Sequence, residues 1–175
     1  MGKFEFEPAK WLPFRDKAVL EKCRHIKREE MEYENDKGFR VKIVMEPAAL
    51  FVADCFTRIK ESDEQNKRLT MIFPNQWPGA YTAVAEMMNR YNVSARNVHA
   101  FAMDEWADQD GNIAPLDYTA GLGYSFRKYF WGAIREDLRP DISHWHVFDN
   151  KNVNDYTKII EDTGDGGADC CYSAT

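Results

Sequence analysis

The sequence predicts an α/β domain of three layers, in which helices cover both faces of a mostly parallel sheet. After residue 38, short apolar runs alternate with stretches of helical periodicity, an order typical of parallel strands joined by crossover helices. Two of the runs, 69–73 and 97–103, are apolar almost throughout, as expected for strands buried on both faces. The chain has 175 residues and is 44% hydrophobic, enough for one domain with a core of its own.

The first 38 residues differ in character from the rest. Residues 16–34 are rich in Lys, Arg and Glu and place Val19, Cys23 and Ile26 at roughly helical spacing, which predicts an amphipathic helix. Residues 35–38, with their Asn and Gly, are expected to end it. We therefore divide the chain into a helical extension, 1–38, and an α/β domain, 39–175.

The elements of the α/β domain follow in order. Strands are predicted at 39–44, 69–73, 97–103, 145–148 and 168–172. Helices are predicted from Pro47 onward and at 80–91, 122–134 and 153–162. The alternating polarity of 39–44 indicates an edge strand, whereas the helix that begins at Pro47 carries Leu50, Ala53, Phe56 and Ile59 along one apolar side.

Composition excludes several classes of partner. The net charge is −6 with no long basic block, which argues against nucleic acid or a membrane surface as the main partner. No apolar run approaches the roughly 20 residues that a membrane span needs, and the polar N-terminus is unlike a signal peptide. The four cysteines form no CxxC pattern. These features predict a cytoplasmic protein.

Two carboxylates stand at the end of the strand 97–103. Ligands of a Rossmann-like sheet bind outside the carboxyl ends of its strands, and Asp104 comes directly at such an end. A partly desolvated carboxyl there suits a general base, although an Asp after a strand is also a common turn residue. Glu105 points the other way on an extended chain, toward a ligand, a partner or an arginine. We predict catalytic roles for both Asp104 and Glu105.

The loop after the strand 69–73 is a weaker candidate. It leads into a helix whose N-terminal amides could hold a phosphate, aided by Asn75, Gln76, Gly79 and Thr82. The loop has only one glycine, and Trp77 and Pro78 make it bulkier than most phosphate cradles. A helix that merely begins at a proline is an equal alternative.

Two further motifs invite a metal. Asp108 and Asp110 form a DxDG sequence, but the spacing of a calcium loop fails and a solvated turn is favoured. His144 and His146 share a face if they lie on a strand, but nothing nearby completes a tetrahedral site. We therefore interpret them as polar positions flanking a core Trp145, and we see no partner for His99.

One string resembles a known family. Val98-His-Ala-Phe-Ala-Met-Asp-Glu-Trp106 is similar to the apolar strand ending in Asn-Met-Asp-Glu-Tyr that glucosamine-6-phosphate deaminases/isomerases carry. Downstream, Gly123-Tyr-Ser-Phe-Arg-Lys-Tyr-Phe-Trp131 resembles that family's aromatic helix, and the segment 167–172 resembles the strand before its second catalytic loop. The resemblance covers about 39–175.

The resemblance implies a NagB/RpiA/CoA-transferase-like fold. It also implies conversion of glucosamine 6-phosphate to fructose 6-phosphate and ammonia, without metal or cofactor. Asp104 falls on the family's proton-shuttling aspartate. The partner would be a small sugar phosphate, and a homo-oligomer is expected, since family members commonly oligomerise.

Three departures qualify this resemblance. The family's Gly-Gly phosphate loop is replaced by Asn75-Gln-Trp-Pro-Gly79, and Trp106 replaces a tyrosine. The glycine loop with the ring-opening histidine has no counterpart up to Thr175, so we interpret the chain as the front part of a longer enzyme, incomplete and inactive by itself. The alternatives are a 6-phosphogluconolactonase-like hydrolase and a non-catalytic sugar-phosphate sensor.

Overall fold

The computed structural model describes residues 10, 14–74 and 76–173. They fall into two units, one ending at Met45 and the other beginning at Glu46. The sequence places this division at residue 38.

The first unit holds two helices and a small hairpin. Its elements are α1 (Lys17–His25), α2 (Arg28–Met31), β1 (Tyr33–Glu34) and β2 (Arg40–Val41). The two strands pair antiparallel. Asp16 caps α1, because its Oδ1 accepts hydrogen bonds from the amides of Ala18 and Val19 at 2.9 and 3.2 Å.

The single helix predicted over 16–34 is wrong beyond His25. Ile26 takes an extended conformation (φ −63°, ψ 124°) as does Lys27, and this interrupts the helix. The segment 35–38 is a hairpin turn rather than a helix end. Asn35 Oδ1 accepts from the amide of Phe39 at 2.8 Å, and Gly38 takes a φ of +80° that favours glycine. Part of the strand predicted at 39–44 therefore pairs with β1 and not with the parallel sheet.

The second unit contains the predicted α/β architecture. Its elements are α3 (Pro47–Gln65), β3 (Leu69–Phe73), α4 (Pro78–Tyr91), β4 (Val98–Ala102), α5 (Leu122–Tyr129), β5 (Trp145–His146), α6 (Tyr156–Thr163) and β6 (Cys170–Cys171). The strands form one parallel sheet in the order β5-β4-β3-β6. The predicted class, a mostly parallel sheet flanked by helices, is confirmed.

The strand order places a ligand crevice at a definite edge. The chain builds outward from β3 to β4 and β5, and then returns across the sheet to lay β6 on the other side of β3. In doubly wound sheets the loops diverge at such a reversal and leave an open crevice outside the carboxyl ends of the strands. Here the reversal lies between β3 and β6, so the crevice opens beyond Phe73, and the end of β4 at Ala102, the register partner of Phe73, lies beside it.

An aromatic core supports this edge from one face of the sheet. Phe73 is fully buried, and its ring lies 5.0 Å from both Phe126 and Phe130. Trp145 lies 3.8 Å from Phe126, so α5 is packed across β3, β4 and β5. The side chains of α3 and α4 complete the same cluster. The ends of these strands are therefore supported by a closely packed core.

The other face carries α6. The Tyr156 hydroxyl contacts the carbonyl oxygens of Ala102 and His146, each at 3.0 Å, and its ring meets Phe101 edge-on. This side chain clamps the ends of β4 and β5 together. The helix predicted over 122–134 stops at Tyr129 and continues as a 3-10 turn, Trp131–Ala133.

Substitution of Gly164 is expected to destabilise the second unit. Gly164 ends α6, and a Cβ at this position would collide with the carbonyl of Gly167. We expect Gly164→Ala to lower the free energy of unfolding by about 1–3 kcal/mol, the usual cost of overpacking. Urea denaturation measures it. Gly167→Ala is the matched control, because its Cβ would meet open space, and equal stability of the two variants would contradict the assignment.

Candidate functional site

Asp104 lies where the sequence predicts, at the carboxyl edge of the sheet. It follows β4 by two residues, and Met103 still donates its amide to the Phe73 carbonyl at 3.1 Å. The ends of β3 and β4 are thereby held together up to the residue before Asp104. The residue is half-buried and its Oδ1 is fully buried. The carboxylate is therefore partly withdrawn from water, at the edge where the crevice opens.

Tyr81 stands near this carboxylate. The ring is fully buried, and the hydroxyl donates to the Pro74 carbonyl. Burial raises the pKa of Tyr81, and the nearby Cys55 and Asp104 groups raise it further. The phenol is neutral at physiological pH and can only donate or accept hydrogen bonds. Through this hydrogen bond Tyr81 ties the loop after β3 to α4.

Glu105 binds the N-terminus of α5. Its Oε1 accepts from the Leu122 amide at 2.9 Å, and its Oε2 accepts from the Gly123 amide at 2.6 Å. Gly121, the N-cap residue, supplies no capping side chain, so Glu105 caps the helix from a distant strand end. A Cβ on Gly123 would lie 3.0 Å from Oε2, which explains the glycine there.

These contacts give Glu105 a structural role. The sequence left open whether it faces a ligand, a partner or an arginine, and in the structure it faces α5. It ties the residue next to Asp104 to the helix that packs on Phe73. Its direct catalytic role stays a prediction.

Three of the four weak candidates for phosphate binding lie in the described part of the chain, each with different neighbours. Asn75 lies outside the described residues. Gln76 donates its side-chain amide to the Ala120 carbonyl at 3.0 Å, which joins the loop after β3 to the loop before α5. Gly79 lines an apolar groove between α3 and α4, and Thr82 is half-buried on α4. Phosphate binding by these residues stays a prediction.

A cavity of about 790 Å³ opens beside the strand ends. We call it the Trp106 pocket. Gln76 and the loop after β4 form its walls. Its principal side chains are Gln76, Trp106, Asp108, Asn112, Tyr118 and Thr119.

Asp108 forms the turn at one end of this pocket. Its Oδ1 accepts from the amides of Asp110 and Asn112, both at 2.9 Å, and Gly111 takes a φ of +83°. Hydrogen bonds from the Asn112 side chain and backbone lower the pKa of Asp108, so the carboxylate is ionised at neutral pH. The predicted solvated turn is confirmed, since residues 108–111 are exposed.

A histidine cluster, which the sequence did not predict, lies on the face of β4 that carries Phe101, opposite the aromatic core. His99 of β4 stacks on His144 at 3.8 Å, and its Nδ1 lies 3.4 Å from Nε2 of His146 on β5. The predicted burial of Trp145 between two polar positions is confirmed. The pairing Phe101↔His146 brings His99 and His146 together, and no local pattern reveals that register.

Both members of the hydrogen-bonded pair are neutral at neutral pH. Burial lowers the pKa of His99 to about 4, and the charges of His144 and Arg68 act in the same direction. Burial also lowers the pKa of His146 to about 4, and the charges of His99 and His144 lower it further. The two ring centroids are 5.7 Å apart, whereas the two nitrogens are only 3.4 Å apart, so the nitrogens lie between the rings and face each other. One neutral ring donates and the other accepts.

This pair predicts an acid-sensitive fold. The ordinary histidine pKa is 6.5 and the folded value is about 4, so the unfolded chain binds more protons between these values. The free energy of unfolding is then expected to fall as the pH drops from about 6.5 to 4. Urea midpoints at pH 7.5 and 5 measure the loss, and His99→Gln should reduce it. His25→Gln on exposed α1 is the control, and an unchanged pH dependence in His99→Gln would contradict the prediction.

The described residues offer neither a metal cluster nor a membrane-spanning helix. Within 10, 14–74 and 76–173, no group of three or more His, Cys, Asp or Glu is arranged to hold a metal ion. None of the helices in this part of the chain is long and apolar enough to cross a membrane.

Comparison with solved structures identifies the fold. A structure described as a monomeric glucosamine-6-phosphate deaminase, a missing link of the NagB superfamily, matches with a TM-score of 0.55. The match has 14% identity and covers 68% of this chain and 47% of that one. The chain therefore spans about half the length of this structural neighbour. No family model matches the sequence, and no curated protein matches it.

Proposed function

We propose that this chain is part of an enzyme that isomerises and deaminates an amino sugar phosphate, with Asp104 as its proton-transferring group. The reaction would convert glucosamine 6-phosphate and water to fructose 6-phosphate and ammonia. The observation that carries the proposal is the half-buried carboxylate of Asp104 at the crevice edge of the parallel sheet. The fold shared with a glucosamine-6-phosphate deaminase supports it.

The chemistry suits a carboxylate. Asp104 would take the proton from C2 of the opened aminoaldose, next to the C1 carbonyl, and return it to C1. The product is a ketose imine, and addition of water to its C2 releases ammonia. Asp104 returns to C1 the proton that it takes from C2, while O1 gains a proton and the amino nitrogen loses one, so the ketose imine is an isomer of the aminoaldose.

The residues around Asp104 would keep it in place. Glu105 fixes the following residue to α5 through two amide hydrogen bonds, and the Met103 amide fixes the preceding one to β3. A base held from both sides is pre-positioned against one carbon pair of a bound sugar. Glu105 is a positioning residue in this scheme.

Exchange of substrate hydrogen with solvent tests the proposed reaction. We expect the whole protein, incubated with fructose 6-phosphate and ammonium in D₂O, to place deuterium on C1 of the ketose. NMR detects this exchange even where net turnover is slow. A lactone hydrolase or a sugar sensor would bind a ligand and leave C1 unlabelled, and that outcome would contradict the proposal.

A further inference from the structure

The Trp106 pocket has the chemistry of a cation site. Its described lining contains one carboxylate, Asp108, and two carboxamides, Gln76 and Asn112, but no Lys, Arg or His. Because the Asp108 carboxylate is ionised, the pocket carries negative charge. A phosphate entering it would meet this charge with no cationic partner.

Two aromatic side chains are left open in the same pocket. Trp106 is 57% exposed and Tyr118 is 49% exposed, although both line a concave surface. Large rings in a cavity wall mark binding surfaces more often than do single exposed rings on a convex surface. The faces of Trp and Tyr attract ammonium groups, and the contact strengthens when the cation is partly desolvated.

The walls of the pocket are held by backbone hydrogen bonds. Ala107 bridges to Ile113, and the Ala114 amide donates to the Trp106 carbonyl at 2.9 Å. The Ile113 amide also donates to Asn150 Oδ1 at 2.7 Å, which ties the loop to the segment after β5. The cavity is therefore a formed one, whose side chains are presented by a hairpin-like frame.

The helix N-terminus next to this loop is closed to an anionic ligand. The first amides of α5, those of Leu122 and Gly123, already bind the Glu105 carboxylate. This internal anion satisfies the positive end of the helix, which is where a phosphate is commonly held. The loop thus offers neither basic side chains nor available α5 amides for a phosphate.

We propose that the Trp106 pocket binds an amino sugar through its ammonium group and its hydroxyls, with no contribution from a phosphate. Trp106 and Tyr118 face the ammonium and the apolar side of the sugar ring, Asp108 balances the charge, and Gln76 and Asn112 bind hydroxyls. That the ligand is a sugar rests on the proposed function. The preference for a cation over a phosphate rests on the lining of the pocket alone. A site selected for phosphate would instead carry basic side chains or available helix amides.

Calorimetric titration with four probes tests the preference. We expect glucosamine and glucosamine 6-phosphate to bind within about 3-fold of each other, N-acetylglucosamine to bind at least 10-fold more weakly, and inorganic phosphate not to compete. Tighter binding of the phosphorylated sugar by 10-fold or more, competition by phosphate, or no binding of glucosamine would overturn the inference.

Two substitutions locate the site. Trp106→Ala is expected to weaken glucosamine binding about 10-fold, in the range of a partly desolvated cation–π contact. Tyr91→Ala, which removes an exposed ring at the end of α4, is the matched control and should leave the affinity unchanged. Asp108→Asn keeps an acceptor for the turn and should weaken glucosamine but not N-acetylglucosamine. Equal affinity in the parent protein, Trp106→Ala and Asp108→Asn would refute the assignment.

The two proposals can fail separately. Binding of glucosamine at the pocket needs no chemistry at Asp104, so it can persist where no deuterium enters the sugar. If the protein showed no preference for the cation but still exchanged the C1 hydrogen, the proposal for the Trp106 pocket would be wrong and the proposed reaction would stand.

Discussion

Replacing Asp104 with asparagine is expected to slow proton transfer by about 10²–10⁴-fold, the usual contribution of a positioned general base. Asparagine has the same shape and can keep a hydrogen bond, but its amide does not accept a proton from carbon at neutral pH. Binding of the sugar should change little, because the base acts on the reacting carbons. The rate of ketose formation by the whole protein measures the loss.

A matched variant separates charge from chemistry. Asp110→Asn removes one negative charge from the exposed turn after β4. It should retain the parent rate and the parent stability. If Asp104→Asn and Asp110→Asn were equally active, the proton would have to travel through another group.

Replacing Glu105 with glutamine is expected to have the largest effect on stability among substitutions at the site. The carboxylate accepts the amides of Leu122 and Gly123, whereas a glutamine offers one oxygen and turns its NH₂ toward the other donor. A charged hydrogen bond contributes about 1.5–3 kcal/mol, so we expect a loss of about 2–3 kcal/mol in the free energy of unfolding. Urea denaturation gives this value.

Amide exchange tests whether the loss arises at α5. In Glu105→Gln the Leu122 and Gly123 amides should exchange faster, while amides of β3 keep their protection relative to global unfolding. Glu136→Gln, an exposed acidic position of the same unit, is the control and should leave stability within about 0.5 kcal/mol. Stability of Glu105→Gln equal to that of Glu136→Gln would show that the helix does not depend on the carboxylate.

The centre of the sheet was predictable because its signals are local. Residues 69–73 and 97–103 are apolar runs, and they form the two central strands, Leu69–Phe73 and Val98–Ala102. The position of Asp104 follows from these strands and the rule for ligand crevices. The predicted 80–91 helix lacks only the first two residues of α4, because Pro78 at a helix start carries no apolar periodicity.

Other features depend on contacts between distant residues. Glu105 meets the Gly123 amide across 18 positions, and no sequence pattern distinguishes this contact from one with a ligand. His99 and His146 are 47 positions apart and meet only because β4 pairs with β5. The helix predicted over 16–34 was wrong beyond His25, because Ile26 and Lys27 are extended and because Tyr33–Glu34 pair as a strand across the hairpin turn.

The role of Asp104 is tested most directly by deuterium uptake in the parent protein and Asp104→Asn, at ligand concentrations that saturate both. Calorimetry first establishes that each binds fructose 6-phosphate, and both labelling reactions contain ammonium. If Asp104 carries the proton, the parent places deuterium on C1 and the variant does so at least about 10²-fold more slowly. Equal labelling by the two bound proteins would contradict that role.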